Sequence, residues 1–424
     1  MIKAERNSIS YFRRLYLYFR QLCIKAMMAL LILREIMDCM FEAYLTDGNS
    51  ETDDIPLTKE PVYILGIKYD ANKELTMIRQ DIQSRLWFTY RRGFVPIGGG
   101  DGLTSDKGWG CMLRCGQMVL GQALVILHLG RDWLWDAISR DPVYLKILKK
   151  FEDNRHAPYS IHQIALMGAS EGKEVGQWFG PNTIAQVLKR LVKFDSWNSL
   201  VIHVALDNTM IVNDIRELCF AENSPSNTSM RPQWKPLLLV VPLRLGLNEI
   251  NPIYISGLKK CFKFPQSLGV IGGKPNLALY FIGCVGDEVI YLDPHTTQRT
   301  GCVEGKENEE QVEMDSTYHC KRASRINILQ MDPSVAVCFF CEQERDFDDL
   351  CQLIRDKLIA DEKQALFEIC NERPEQYSPS VDCIGEDVIG AECNDTTTWT
   401  HLNTSPTKNC SDRLCDSENE FEIL

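Results

Sequence analysis

The chain has 424 residues, 45% hydrophobic and 25% charged, an ordinary globular balance with room for one large domain or two of common size. Its net charge of −12 argues against nucleic acid as a partner and against general adhesion to anionic membranes. The 17 cysteines are odd in number and scattered, without a repeating framework or paired CxxC spacing, so a reducing compartment fits better than a disulfide scaffold or a zinc site.

Residues 1–46 form a basic, aromatic extension in which Arg13, Arg14, Arg20, Lys25 and Arg34 interleave with Tyr11, Phe12, Leu15, Tyr16, Leu17 and Phe19. The apolar run that follows at 26–33 falls far short of the ~20 residues that span a bilayer. No clear small-residue cleavage site follows it. A peripheral helix without a dedicated role is expected, the alternative being a basic amphipathic helix that touches a membrane or packs on the body. A linker over 47–60, polar from Asp47 to Asp54, leads to a body beginning at Pro61 with a short strand.

Residues 78–88 have helical periodicity, 98–102 form a glycine loop, and Met112, Val119, Leu120, Ala123 and Leu124 mark a second helix. Residues 182–192 form a third, with Ile184, Val187, Leu188 and Leu191 on one face. Strands follow at 199–204 and 237–241, divided by a polar loop at 222–229. Residues 280–285 and 288–292 flank Gly286-Asp287 as a hairpin, and 335–341 form another strand. Helix returns over 346–367. From Glu372 to Leu424 there are twelve acidic and three basic side chains, so this tail holds most of the negative charge and order should fade there. Helices first and a mainly antiparallel sheet second make the class α+β.

The chemistry concentrates at Gly108-Trp109-Gly110-Cys111-Met112-Leu113-Arg114-Cys115-Gly116-Gln117. A thiol on the first turn of a helix sits at the positive end of the macrodipole, which favours thiolate. The glycines remove bulk, so a substrate backbone can approach the sulfur. A nucleophilic thiol needs a base, and the base needs an orienting acceptor. Of the seven histidines, His128, His156, His162 and His203 lie in helices, loops or strands without a close-by acidic pairing, His319 sits in a polar loop and His401 in the tail.

His295 differs. It lies in Asp293-Pro294-His295-Thr296-Thr297-Gln298, just after the strand ending at Leu292. Extended backbone would place Asp293 and His295 on one face, with Pro294 limiting φ between them. The carboxylate then accepts from one ring nitrogen and leaves the other for a thiol. The competing reading is a plain Asp-Pro turn at a strand end. Cys115, one turn deeper than Cys111, is expected as a small packing residue, since two thiols alone make a poor zinc site.

Together these segments resemble the autophagins, the cysteine proteases of autophagy. The likeness extends through Arg85-Leu86-Trp87-Phe88-Thr89-Tyr90-Arg91-Arg92, Gly180-Pro181-Asn182-Thr183, the stretch from Trp234 to Gly246, Gly272-Gly273-Lys274-Pro275-Asn276 and Asp332-Pro333-Ser334-Val335-Ala336. It covers roughly residues 58 to 370 plus the last four, and is closest in form to the A/B-type branch. It implies a papain-like catalytic domain over 61–371, with a largely disordered acidic tail over 372–424.

By matched position, Cys111 would be the nucleophile, His295 the general base and then acid, and Asp293 its orienter. Tyr90 would join the Cys111 N–H as the oxyanion donors. Trp178 would cover the groove, and the loop Gly272-Gly273-Lys274-Pro275 would lift when substrate enters. The implied substrates are ubiquitin-like autophagy modifiers of the light-chain and GABA-receptor-associated types. They would be cut after a C-terminal glycine, both to mature the precursor and to release it from phosphatidylethanolamine. The terminal Phe421-Glu422-Ile423-Leu424 resembles a modifier-docking motif, with Phe421 and Leu424 as its anchors.

The resemblance implies no cofactor and no metal, a cytoplasmic monomer, and membrane contact only through lipidated substrate. The glycine loop at 98–102 is about one residue longer than the family pattern, and the N-terminal extension has no counterpart in this branch. A non-catalytic modifier-binding adaptor and a thiol enzyme of another kind are the alternatives. Cleavage of an extended modifier distinguishes them.

Overall fold

Among the described residues, the apolar runs at 237–243, 277–285 and 335–341 become strands of one sheet buried on both faces. The computed structural model describes residues 55–139, 141–220, 233–274, 277–304 and 309–373. The extension, the linker before Ile55, the 222–229 loop, Pro275, and the tail with Phe421 and Leu424 lie outside the described residues.

The first strands are β1 (Pro61–Ile64), β2 (Ile67–Asp70), β3 (Arg91–Arg92), β4 (Val201–Val204), β5 (Thr209–Ile211) and β6 (Leu237–Arg244). Then come β7 (Ser267–Lys274), β8 (Leu277–Val285), β9 (Glu288–Leu292), β10 (Gln298–Arg299), β11 (Ser324–Asn327), β12 (Ser334–Cys341) and β13 (Glu368–Cys370). The main sheet runs β11-β9-β8-β7-β12-β6-β4, with β1 paired to β8 and β2 to β1. Its pairings are antiparallel except β4 with β6. Two short parallel pairs, β10–β3 and β13–β5, stand apart from it.

Residues along each central strand alternate between two cores. In β6, Leu238 and Val240 face one cluster, while Leu237, Leu239, Val241 and Leu243 face the other. In β8 the same division separates Tyr280 and Ile282 from Leu279 and Phe281. Covering both faces explains why these strands read as unbroken apolar runs instead of alternating ones.

The first core is capped by α1 (Leu75–Gln83), α2 (Cys111–Leu129), α3 (Pro142–Lys149), α4 (Ile161–Met167) and α5 (Pro181–Leu191). The second is capped by α6 (Val212–Phe220), α7 (Ile255–Cys261) and, after the short α8 (Glu309–Ser316), by α9 (Glu344–Leu353). By length and composition α2 is apolar enough to cross a membrane, but 78% of its apolar window is buried inside the protein, which makes it a core helix. The class is α+β, as the sequence indicates.

The structure departs from the sequence reading in definite places. The 78–88 helix instead runs Leu75–Gln83. Ser84 ends it, its hydroxyl donating to the Gln80 carbonyl at 2.7 Å. The aromatic and β-branched residues Trp87 to Tyr90 then run on toward β3 and bond to the segment after β9. Helix over 346–367 stops short: after Leu353 a wider π-type turn runs Ile354–Ala360, and β13 follows. β6 continues past Val241 through Pro242, which is tolerated because its neighbour β4 pairs only with Leu237 to Val240. Ile55 is buried in the first core, so packing begins inside the expected linker.

α2 and α5 meet at Gly116, where an added Cβ would fall 2.3 Å from Ile184 Cγ1 and 2.9 Å from its Cδ1. Gly116→Ala should therefore destabilise the fold by about 1–3 kcal/mol through overpacking. Thermal unfolding reads this directly, and an unchanged Tm would mean that α5 yields without cost.

Candidate active site

Cys111 is the first residue of α2. The glycines before it do more than clear space. Gly108 has φ of +86°, in the left-handed region that side chains resist. At Gly110 a Cβ would lie 2.4 Å from Asp106 Oδ2. The Asp106 carboxylate is fully buried; it accepts from the Arg91 backbone N–H at 2.6 Å and from Arg114 Nε at 2.7 Å. Its own carbonyl accepts from the Gly110 N–H at 2.8 Å. Arg114 also donates to Asp153 at 2.9 Å and to Gln117 at 3.0 Å. This ion cluster anchors the helix start and so fixes where the thiol points.

Asp293 and His295 come together through a turn, not through extended backbone. Asp293 Oδ1 accepts the His295 backbone N–H at 2.9 Å and lies 2.5 Å from ring Nδ1. One oxygen thus holds both the main chain and the imidazole, an Asx turn with Pro294 at its centre. Nε2 is buried and, apart from the Cys111 sulfur with which it interacts, has no partner among the described residues.

Burial pushes the Cys111 thiol up, but His295, the Trp178 indole N–H and the Ala278 backbone together hold it below the ordinary thiol range. The indole lies 2.9 Å from the sulfur. For His295, burial pushes down, yet Asp293 and the thiol hold it up at about 9. Opposite shifts in neighbouring groups favour a thiolate beside an imidazolium at neutral pH.

The other expected residues surround this pair. Tyr90 is buried and edge-on to the His295 ring, with centroids 5.4 Å apart. Burial, then the neighbouring Cys111, keeps its phenol protonated and able to donate. Trp178 is 43% exposed, so its indole closes the sulfur from the solvent side. Gly272, Gly273 and Lys274 are the end of β7, where the sequence indicated a loop. Gly273 pairs with Ala278, the residue whose backbone reaches the thiol, so this hairpin end lies beside Cys111. A Cβ at Gly273 would fall 2.0 Å from the Leu277 carbonyl oxygen, which explains the glycine.

Cys115 is fully buried, and burial raises its thiol well above the ordinary range, the behaviour of a packing residue. Among the described residues no group of three or more His, Cys, Asp or Glu is placed to hold a metal.

Sequence reasoning missed the supports of the site. Arg114 is the single charged side chain in α2, which was a signal for a buried ion pair. Asp106 carried no local signal. Nor did His319, expected in a polar loop but buried, with Nδ1 2.8 Å from the Gln83 carbonyl and Nε2 2.7 Å from the Tyr144 hydroxyl. Tyr144 in turn donates to Asp315, which closes a buried polar knot remote from the thiol in sequence.

Comparison with known proteins places this geometry. Residues 75–353 match the Peptidase C54 catalytic domain. The chain is 47% identical over 395 residues to the cysteine protease ATG4A of Xenopus laevis, covering 88% of this chain and 95% of that protein. It is 48% identical over 380 residues to ATG4A of Homo sapiens, covering 84% and 94% respectively. It is also 47% identical over 407 residues to the cysteine protease ATG4B of Xenopus laevis, covering 92% of this chain and 100% of the relative. A buried thiol at a helix start, a histidine held by an aspartate, and similarity along most of the chain agree: this protein is a cysteine-type peptidase of the Peptidase C54 family, of the ATG4A/ATG4B type.

Proposed function

We propose that the protein cleaves ubiquitin-like autophagy modifiers after a C-terminal glycine, maturing the precursor and releasing the modifier from phosphatidylethanolamine. The observation that carries this reading is the Cys111–His295–Asp293 arrangement under the Trp178 indole. In this mechanism Cys111 is the nucleophile, His295 the acid and base, and Asp293 the orienter.

The Cys111 thiolate attacks the glycine carbonyl, forming a C–S bond and an oxyanion. The Tyr90 hydroxyl and the Cys111 N–H donate to that oxyanion; an N–H in the first turn of a helix has no intrahelical acceptor. His295 passes its Nε2 proton to the leaving amine as the C–N bond breaks, leaving a thioester. Water then attacks the thioester, His295 takes its proton, and the glycine carboxylate departs with Cys111 regenerated.

A peptide amine and a lipid amine differ only in the leaving group, so one site serves both. Trp178 and the β7 end at Gly272–Lys274 lie beside the sulfur, as walls that suit a residue without a side chain. Phe421 and Leu424 serve as docking anchors for the modifier, and residues 61–371 form the catalytic domain. The described cysteines are free, including buried Cys115, Cys261 and Cys338, which supports a reducing, cytoplasmic setting.

The test offers wild-type enzyme a precursor extended beyond the glycine and the same modifier joined to phosphatidylethanolamine in vesicles. Both should yield a product of one mass, ending at the glycine. A precursor that is bound but left whole overturns the protease reading for this substrate class, and cleavage of the precursor alone removes the delipidation half.

A further inference from the structure

Pro294 sits at the centre of the turn that carries the aspartate and the histidine, and it has no N–H to give. The backbone carbonyls around it must find donors elsewhere or go unpaired. Both find them on one segment. The Trp87 indole Nε1 donates to the Asp293 carbonyl at 2.7 Å, and the Tyr90 backbone N–H donates to the Pro294 carbonyl at 2.9 Å. The Tyr90 carbonyl accepts from the Gln298 N–H at 2.9 Å, so the loop is tied again beyond the histidine.

The Tyr90 and Gln298 ties are main-chain bonds that many side chains would allow. The Trp87 bond is the exception, because it depends on one indole. We infer that Trp87 is a positioning residue: its indole N–H fixes the Asp293 peptide, and so sets the angle at which the Asp293 carboxylate meets the His295 ring.

The leverage is geometric. Asp293 Oδ1 contacts both the His295 N–H and Nδ1, within 2.9 Å and 2.5 Å. The Asp293 side chain is 42% exposed, so surrounding packing alone does not confine it. If the Asp293 peptide rotates, the shared oxygen cannot keep both contacts, and the imidazole loses its orientation toward the thiol. Trp87 touches neither sulfur nor substrate in this account; it acts through Asp293. The inference rests on the mechanism proposed above for Cys111, Asp293 and His295.

The test replaces the donor and keeps the shape. Trp87→Phe removes the N–H with some loss of bulk, and benzothienylalanine at position 87 removes it with almost none. Each is assayed for precursor cleavage and, separately, for the pH dependence of Cys111 alkylation by iodoacetamide. Both variants should lower kcat roughly ten- to a hundredfold with KM little changed, as misplacement of a catalytic group does. The lower limit of thiolate reactivity should rise and the upper limit of cleavage should fall, each by about one pH unit, as the histidine loses the support of its carboxylate.

Tyr144→Phe serves as the stability control, since it breaks the buried knot at His319 and Asp315. It should lower Tm and leave both pH limits in place. If Trp87→Phe fails to fold, the benzothienylalanine enzyme decides the matter. Wild-type pH limits in that enzyme overturn the inference. Loss of the wild-type enzyme's own pH limits would instead strike at the assignment of Cys111 and His295.

Discussion

Asp293→Asn should reduce kcat by roughly a hundred- to ten-thousandfold while leaving the fold intact. The asparagine amide oxygen can still accept the His295 N–H, so the turn survives. What disappears is the negative charge that favours the imidazolium. His295, held up at about 9 in the wild type, should then titrate closer to the ordinary histidine value, and the Cys111 thiol should rise in response.

The sign is fixed by these directions. The active ion pair exists above the lowered thiol value and below the raised histidine value. Removing the carboxylate narrows that window from both ends. A pH–rate profile for precursor cleavage measures it, and an unmoved alkaline limit would show that Asp293 does not support His295.

The largest loss of stability is expected at Arg114. Its guanidinium is buried between Asp106 and Asp153, whose carboxylates are also almost wholly buried. Burial already pushes the Asp106 carboxyl up, despite the neighbouring Arg114. Arg114→Met keeps much of the volume but leaves two acids without a counter-charge, and should cost about 3–5 kcal/mol. Because Asp106 also sets the start of α2, the activity that remains should fall by more than the folded fraction accounts for. Chemical denaturation checks the stability, and active-site titration of the folded fraction checks the rest. A change below about 1 kcal/mol would mean that the two acids take up protons without cost.

The triple variant Asp106→Asn, Arg114→Met, Asp153→Asn would separate charge from packing. Removing all three charges should recover much of the loss, because a buried ion cluster adds little over a neutral replacement once no charge is stranded.

The proposed reaction centre was more legible in the chain than the scaffold that holds it. Cys111 at a helix start and Asp293-Pro294-His295 after a strand carry local signals: two glycines, an apolar periodicity, and one histidine with an acid beside it. The reason those last residues meet was misread, since a shared oxygen in a turn, not strand alternation, brings them together. Tyr90 owed its selection to family likeness alone. Its position depends on bonds to Pro294 and Gln298, some 200 residues further along the chain, which no local pattern encodes.

The strands of the main sheet were visible because both faces are covered and their residues are apolar throughout. Their ends were not. Pro242 extends β6 only because β4 is short, and the helix ends at Gln83 because the following residues are drawn off by bonds from Trp87 and Tyr90 to Tyr318, Asp293 and Pro294. Both are tertiary or capping facts that periodicity does not carry. Asp106 and His319 were invisible for the same reason: each is polar in sequence, and only the partners that the fold delivers make burial tolerable.

The central claim is that Cys111 is the nucleophile that cuts the modifier after its glycine. Its most direct measurement follows a precursor extended beyond that glycine, incubated with wild-type protein and with Cys111→Ala, by intact mass. Wild type should convert the precursor to the glycine-ended product, and Cys111→Ala should bind it and leave it whole. Cleavage by Cys111→Ala at the wild-type rate would contradict the account.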